Sequence, residues 1–128
     1  MSMVCELPKT DSTPLVIIDE PKGYMKFEGE SYSENVIEFY KVVTDWLSRY
    51  LKTDFNIFVF DCALEYFNSS TSKLLYNMLT DMDKAAASGK EIVVNWYADK
   101  DNDIIIESGE DFEEDLTNLT FKMIIKES

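Results

Sequence analysis

The chain has 128 residues, 45% of them hydrophobic, and a net charge of −13 from 25 acidic and 12 basic side chains. That suits one compact domain with its own core, and it gives a field that repels nucleic acid and anionic membrane. There is no histidine, which removes Ser-His-Asp and Cys-His centres, and the four glycines fit neither a dinucleotide fingerprint nor a Walker loop.

Arg49 is the sole arginine, so no bidentate cluster exists to grip a phosphate. Cys5 and Cys62 cannot build a usual zinc site alone, and they read as free thiols with Cys62 in the core. No stretch approaches the ~18 consecutive apolar residues of a membrane span, and residues 1–10 lack the basic and apolar regions of a signal peptide. The expectation is a cytoplasmic protein with no membrane insertion, folded as one domain over 1–128 with 1–10 a flexible N-terminus.

In chain order, residues 13–18 and 24–27 are β-prone runs around Asp19-Glu20-Pro21-Lys22-Gly23, where Pro sets φ and Gly accepts a positive one; they predict an N-terminal β-hairpin. Residues 30–35 read as a loop with Ser33 as N-cap and Glu34 favourably placed against the helix dipole. From 36 to 51 apolar residues recur every three or four positions, predicting one long amphipathic helix. Residues 56–64 are rich in β-branched and aromatic side chains with little alternation, as in a strand buried on both faces.

A helix is predicted from about residue 70 to 87, ended by Gly89, followed by strands at 91–97 and 121–125. Between those strands, residues 103–116 suit a short helix that Gly109 interrupts. Recurrent strand-helix-strand order predicts an α/β fold, a mixed sheet with helices packed on it.

Two segments invite chemistry. Counting from Asp99 puts carboxylates at positions one, three and five of a calcium loop and Glu110 at twelve, but position six is Ile104 where such a loop needs glycine. This acidic, metal-binding alternative over 99–110 competes with a plain solvated connection, and no metal site is assigned from it. The second segment, Asn68-Ser69-Ser70-Thr71-Ser72, lies where a buried strand delivers the chain to a helix start. Asn68 or Ser69 capping the helix, worth ~1 kcal/mol, accounts for one such residue but not for five. A phosphate there would add about −1.5 to −2 charges beside free N–H groups and the positive end of the helix dipole, sparing the fold and altering what docks.

Three stretches resemble the SiaC-type bacterial regulatory phosphoproteins, whose fold is similar to the STAS domains of anti-sigma-factor antagonists. They are Gly29-Glu30-Ser31-Tyr32-Ser33-Glu34-Asn35 running into Phe39-Tyr40 and Trp46-Leu47, then Leu64-Glu65-Tyr66-Phe67-Asn68-Ser69-Ser70-Thr71-Ser72-Lys73, and Val94-Asn95-Trp96-Tyr97 with Gly109-Glu110-Asp111-Phe112. Ser69 stands where that family more often has threonine, and Ser33 where it more often has proline.

The resemblance implies a STAS-like, non-enzymatic, cofactor-free regulator. It would be phosphorylated by a Ser/Thr kinase of the anti-sigma-factor type, dephosphorylated by a PPM-type phosphatase, and bound to an effector, a diguanylate cyclase. It selects Ser69 as the modified residue, with Ser70 and Thr71 as alternatives. The partner surface is expected to comprise Tyr32, Glu34, Asn35, Glu65, Tyr66, Asn68, Ser70 and Ser72, with at least one of Tyr66 and Phe67 packed in the core.

Overall fold

The computed structural model describes residues 2–127. Along these run β1 (Val4–Leu7), β2 (Leu15–Asp19), β3 (Tyr24–Ser31), α1 (Val36–Phe39), α2 (Lys41–Tyr50), β4 (Ile57–Phe67), α3 (Ser69–Ala87), β5 (Glu91–Asp99), α4 (Asp103–Asp115) and β6 (Thr120–Lys126). The strands form one mixed sheet in sequence order, antiparallel from β1 to β3 and parallel from β3 to β6. This is the expected single α/β domain. The hairpin turns through a single 3-10 turn at Glu20–Lys22 and Gly23 at φ 62°, where a Cβ would meet the Ile57 carbonyl oxygen at 2.5 Å.

Each crossover between parallel strands steps the same way across the sheet, and right-handed crossovers then put every helix on one face. Burial follows that geometry. Phe58, Phe60, Cys62 and Leu64 of β4 and Ile92, Val94, Trp96 and Ala98 of β5 are buried beneath the helices, whereas Val59, Asp61 and Ala63 are only half-buried. The expectation of a β4 buried on both faces is therefore corrected. Its β-branched and aromatic run reflects strand preference, not a second covering layer.

Residues 1–10 are not a loose arm throughout. Val4–Leu7 extend the sheet as edge strand β1, held because Glu20 Oε1 accepts the Met3 N–H at 3.0 Å and the Glu20 N–H donates to the Met3 carbonyl at 2.9 Å. Met1 lies outside the described residues. The same Glu20 Oε1 accepts Trp46 Nε1–H at 2.9 Å; these two hydrogen bonds hold its carboxyl below the usual range, with Arg49 adding to the effect.

Three further elements differ from expectation. β3 runs on to Ser31 past a bulge between Gly29 and Glu30, with Gly29 at φ 118°, so 30–31 are strand rather than loop. The helix expected over 36–51 breaks at Tyr40 into α1 and α2, though its buried stripe of Val36, Tyr40, Val43, Trp46, Leu47 and Tyr50 is continuous. The α1 N-cap position is Asn35, whose N–H donates to Ser33 Oγ at 3.1 Å; Ser33 makes a local turn instead of a cap.

α4 passes uninterrupted through Gly109, because the missing side chain lets the helix settle on the sheet. A Cβ there would come within 2.5 Å of Trp96 and Met123. Cys62 lies in the core, and burial pushes its thiol up to about 12; both cysteines are free.

Candidate functional site

The parallel strands β3 and β4 end side by side, and the chain leaves β4 directly into α3. Asn68, extended at φ −86° and ψ 178°, caps that helix through Oδ1, which accepts the Thr71 N–H at 2.9 Å. Its own N–H donates to the Ser31 carbonyl at 3.1 Å. The cap thus satisfies one of the helix's free donors and locks α3 to the end of β3.

Beneath the first turn is a buried hydroxyl triad. Thr71, 0% exposed, donates from Oγ1 to the Ser31 carbonyl at 3.1 Å and lies 2.9 Å from Ser31 Oγ, which is 2.8 Å from the Tyr40 hydroxyl. Because Thr71 has a single hydroxyl proton, the order that satisfies all three is Tyr40 to Ser31 to Thr71 to the Ser31 carbonyl. Burial raises the Tyr40 phenol well above its ordinary value, against the lowering effect of its bond to Ser31, so it stays a neutral donor. The break at Tyr40 brings this hydroxyl to Ser31.

The triad separates the surroundings of the candidate hydroxyls. That of Thr71 is engaged and out of solvent. Ser69 and Ser70 are exposed. At about 100° per residue Ser69 points about 160° away from buried Thr71, straight into solvent, while Ser70 and Ser72 diverge by about 100° to opposite flanks. Ser70 lines one cavity with Glu34, Asn35, Ile37, Lys41 and Lys73, whereas Ser72 is half-buried on the far flank.

The residues expected on the partner surface all lie at this end of the sheet. Tyr32 and Tyr66, 40% and 47% exposed, meet edge to face with ring centres 5.8 Å apart. Phe67 supplies the core contact instead, at right angles to Trp96 and 6.1 Å away. The Glu65 side chain is exposed while its carbonyl accepts Asn102 Nδ2–H at 2.9 Å, tying the start of α4 to the same surface. Asn68, by contrast, spends its side-chain oxygen on the cap.

Sequence reasoning overlooked Ile37, 78% exposed at the mouth of the Ser70 cavity. Its position off the buried helical stripe is the signal that could have found it.

The calcium-loop alternative over 99–110 does not form. Asp99 ends β5 and accepts the Asp101 N–H at 3.0 Å, Asn102 caps α4, and Glu110 lies well inside that helix. Among the described residues no three His, Cys, Asp or Glu side chains gather as metal ligands. The aspartates shape a strand-to-helix turn. No helix of the described residues is long and apolar enough to cross a membrane.

Residues 7–126 match the family described as SiaC family regulatory phosphoprotein. The chain belongs to the SiaC family. A relative from Pseudomonas aeruginosa strain UCBPP-PA14 is 32% identical over 109 residues, covering 85% of this chain and 86% of its own. SiaC of Pseudomonas aeruginosa superposes with a TM-score of 0.89 at 28% identity, covering 97% of this chain and 99% of that one.

A chain in the crystal structure of the Pseudomonas aeruginosa diguanylate cyclase SiaD with its activator SiaC matches at a TM-score of 0.90 and 30% identity, covering 95% and 99%. As a SiaC family member this chain is a regulatory protein, not itself a catalyst.

Proposed function

We propose that this SiaC family protein is a cytoplasmic phosphoswitch. It binds and controls a diguanylate cyclase through the surface around Tyr32, Glu34, Asn35, Glu65, Tyr66 and Ser70, and modification of Ser69 releases that effector. A Ser/Thr kinase of the anti-sigma-factor type adds the phosphate and a PPM-type phosphatase removes it. The activation of SiaD by SiaC in Pseudomonas aeruginosa supports the choice of effector.

The observation that carries the reading is the division of labour in one helical turn: Thr71 is buried and bonded, Asn68 is the cap, and Ser69 is left exposed at the first position of α3. A phosphate on Ser69 would lie against the free N–H groups at the start of α3, where the dipole favours it by about 0.3–1 kcal/mol. The fold is spared. The same dianion would desolvate poorly under a docked partner and clash with any carboxylate facing it.

The test is to treat the protein with ATP and the anti-sigma-factor-type kinase of its own organism, map the adduct by mass spectrometry, and measure diguanylate cyclase binding for wild type, Ser69→Ala and Ser69→Asp. The expected result is phosphate on Ser69, tight binding for wild type and Ser69→Ala, and loss for Ser69→Asp. An adduct elsewhere, or equal affinities for all three proteins, overturns the assignment.

A further inference from the structure

Among the described residues no helix covers the face of the sheet turned away from α1–α4, although parallel sheets are normally covered on both sides. Its residues carry a pattern legible from the strand registers. One row crosses all six strands from β1 to β6 as Glu6, Ile17, Lys26, Asp61, Asn95 and Lys122. The adjoining row carries Tyr24, Val59 and Val93 at its centre, all half-buried.

The central carboxylate is rigidly held. Asp61 accepts from the Tyr24 hydroxyl at 2.7 Å through Oδ2 and from Asn95 Nδ2–H at 2.8 Å through Oδ1. Beside it Lys26 pairs with Glu28 at 3.0 Å.

We propose that this open sheet face is a homodimer interface, covered by the same face of a second copy about a twofold axis parallel to the strands. Such an axis lays β6 of one copy over β1 of the other, β5 over β2 and β4 over β3, and keeps each row opposite itself. Lys122 then faces Glu6, and Lys26 faces Asp61, each pair occurring twice by symmetry. In the adjoining row Tyr24 packs on Val59. The alternative twofold, across the strands, would place Lys122 over Lys122 and Asp61 over Asp61. Charge therefore selects both the occupant and the axis.

The overall charge strengthens the point. Two copies of net charge −13 repel through most of their surfaces, and self-association needs a face whose charges compensate across the contact. The footprint is adequate but small. Six strands at ~4.8 Å spacing and three rows of residues cover on the order of 500 Å² per copy. The total of about 1,000 Å² lies at the lower limit for a specific interface. The dimer is thus weak and concentration-dependent.

An axis along the strands also leaves the start of α3 in both copies at the same end of the assembly, ready for one twofold partner. This interface involves none of the hydroxyls at that end, and it stands or falls independently of the phosphoswitch.

The experiment is sedimentation equilibrium at near-physiological salt on the full chain with Glu6→Lys, Lys122→Glu and the double variant. Glu6 and Lys122 are both exposed, so circular dichroism should show an unchanged fold. Each single reversal creates two like-charge contacts and is expected to weaken self-association about tenfold. The double variant should recover wild-type association, and an equimolar mixture of the two single variants should form heterodimers, since each then supplies the charge the other lacks. A wild type that stays monomeric up to its solubility limit overturns the proposal. So does a dimer that neither reversal affects, or single variants that the double variant fails to rescue.

Discussion

α3 and α4 start in the same manner. Each follows a parallel strand, each is capped by an asparagine accepting the N–H three residues on, from Thr71 at 2.9 Å and from Ile105 at 3.3 Å, and each buries that third residue. Their first two exposed positions differ: Ser69 and Ser70 in α3, Asp103 and Ile104 in α4. A carboxylate at Asp103 complements the helix dipole permanently, whereas a hydroxyl at Ser69 leaves the same place open to a charge that can be added and removed. The cap builds the helix in both cases; on the proposed reading, the residue after it is what makes one start switchable.

What lies under the two helices differs as well, and the largest expected effect is on the side of α4. Gly109→Ala should destabilise by about 3 kcal/mol, because the new Cβ collides with buried Trp96 and with Met123. Thermal unfolding measures this, and a loss under 1 kcal/mol would mean that α4 can slide. Under α3 the contact is polar. Thr71→Val should cost about 2 kcal/mol by leaving the Ser31 hydroxyl and carbonyl short of partners, with Thr71→Ser recovering most of it in denaturant titrations.

The hydroxyls and the capping amide at the start of α3 carry no acidic charge, but a later turn of the same helix holds a carboxylate whose ionisation couples to folding in acid. Asp83 accepts the Asn118 and Leu119 N–H groups at 2.8 and 2.9 Å. Burial raises its carboxyl, but these bonds, with those from the Asn118 side chain and Thr117, outweigh it and leave the net value lowered. A folded pKa below the unfolded value of about 3.9 stabilises above that pH and is lost as pH falls through the folded value. Asp83→Asn should therefore differ most from wild type, by about 1.5 kcal/mol, above pH 5, with the gap closing as pH falls through the unfolded and then the folded value.

The caps themselves come next: Asn68→Ala should cost about 1 kcal/mol and Asn102→Ala about 0.5, following their bond lengths and exposure. The smallest effect sharpens the comparison most. Ser69→Asp makes the first turn of α3 imitate that of α4, and its stability should stay within about 0.5 kcal/mol of wild type while effector binding falls. A large loss of stability would show that Ser69 is structural.

Much of this was readable from local pattern. The buried stripe through Tyr40, Trp46 and Tyr50, the hairpin at Pro21 and Gly23, and the polar cluster after Asn68 are signals contained within a few helical turns or one β-turn. The misreadings fall where the deciding contact is remote. β1 exists because β2 has a free edge and Glu20 reaches back to Met3; Gly109 is tolerated because Trp96 needs the room.

From residue type and short-range spacing alone come the order of elements from β2 onward, with α1 and α2 as one helix, the lack of the usual catalytic groups, and a helix start crowded with hydroxyls. Only the tertiary structure decided that Thr71 is locked away while Ser69 is presented, and that one face of the sheet is left bare. Thr71 is bonded across 40 residues to Ser31, and the bare face follows from the shared hand of three crossovers. Neither leaves a mark on the periodicity of any single segment.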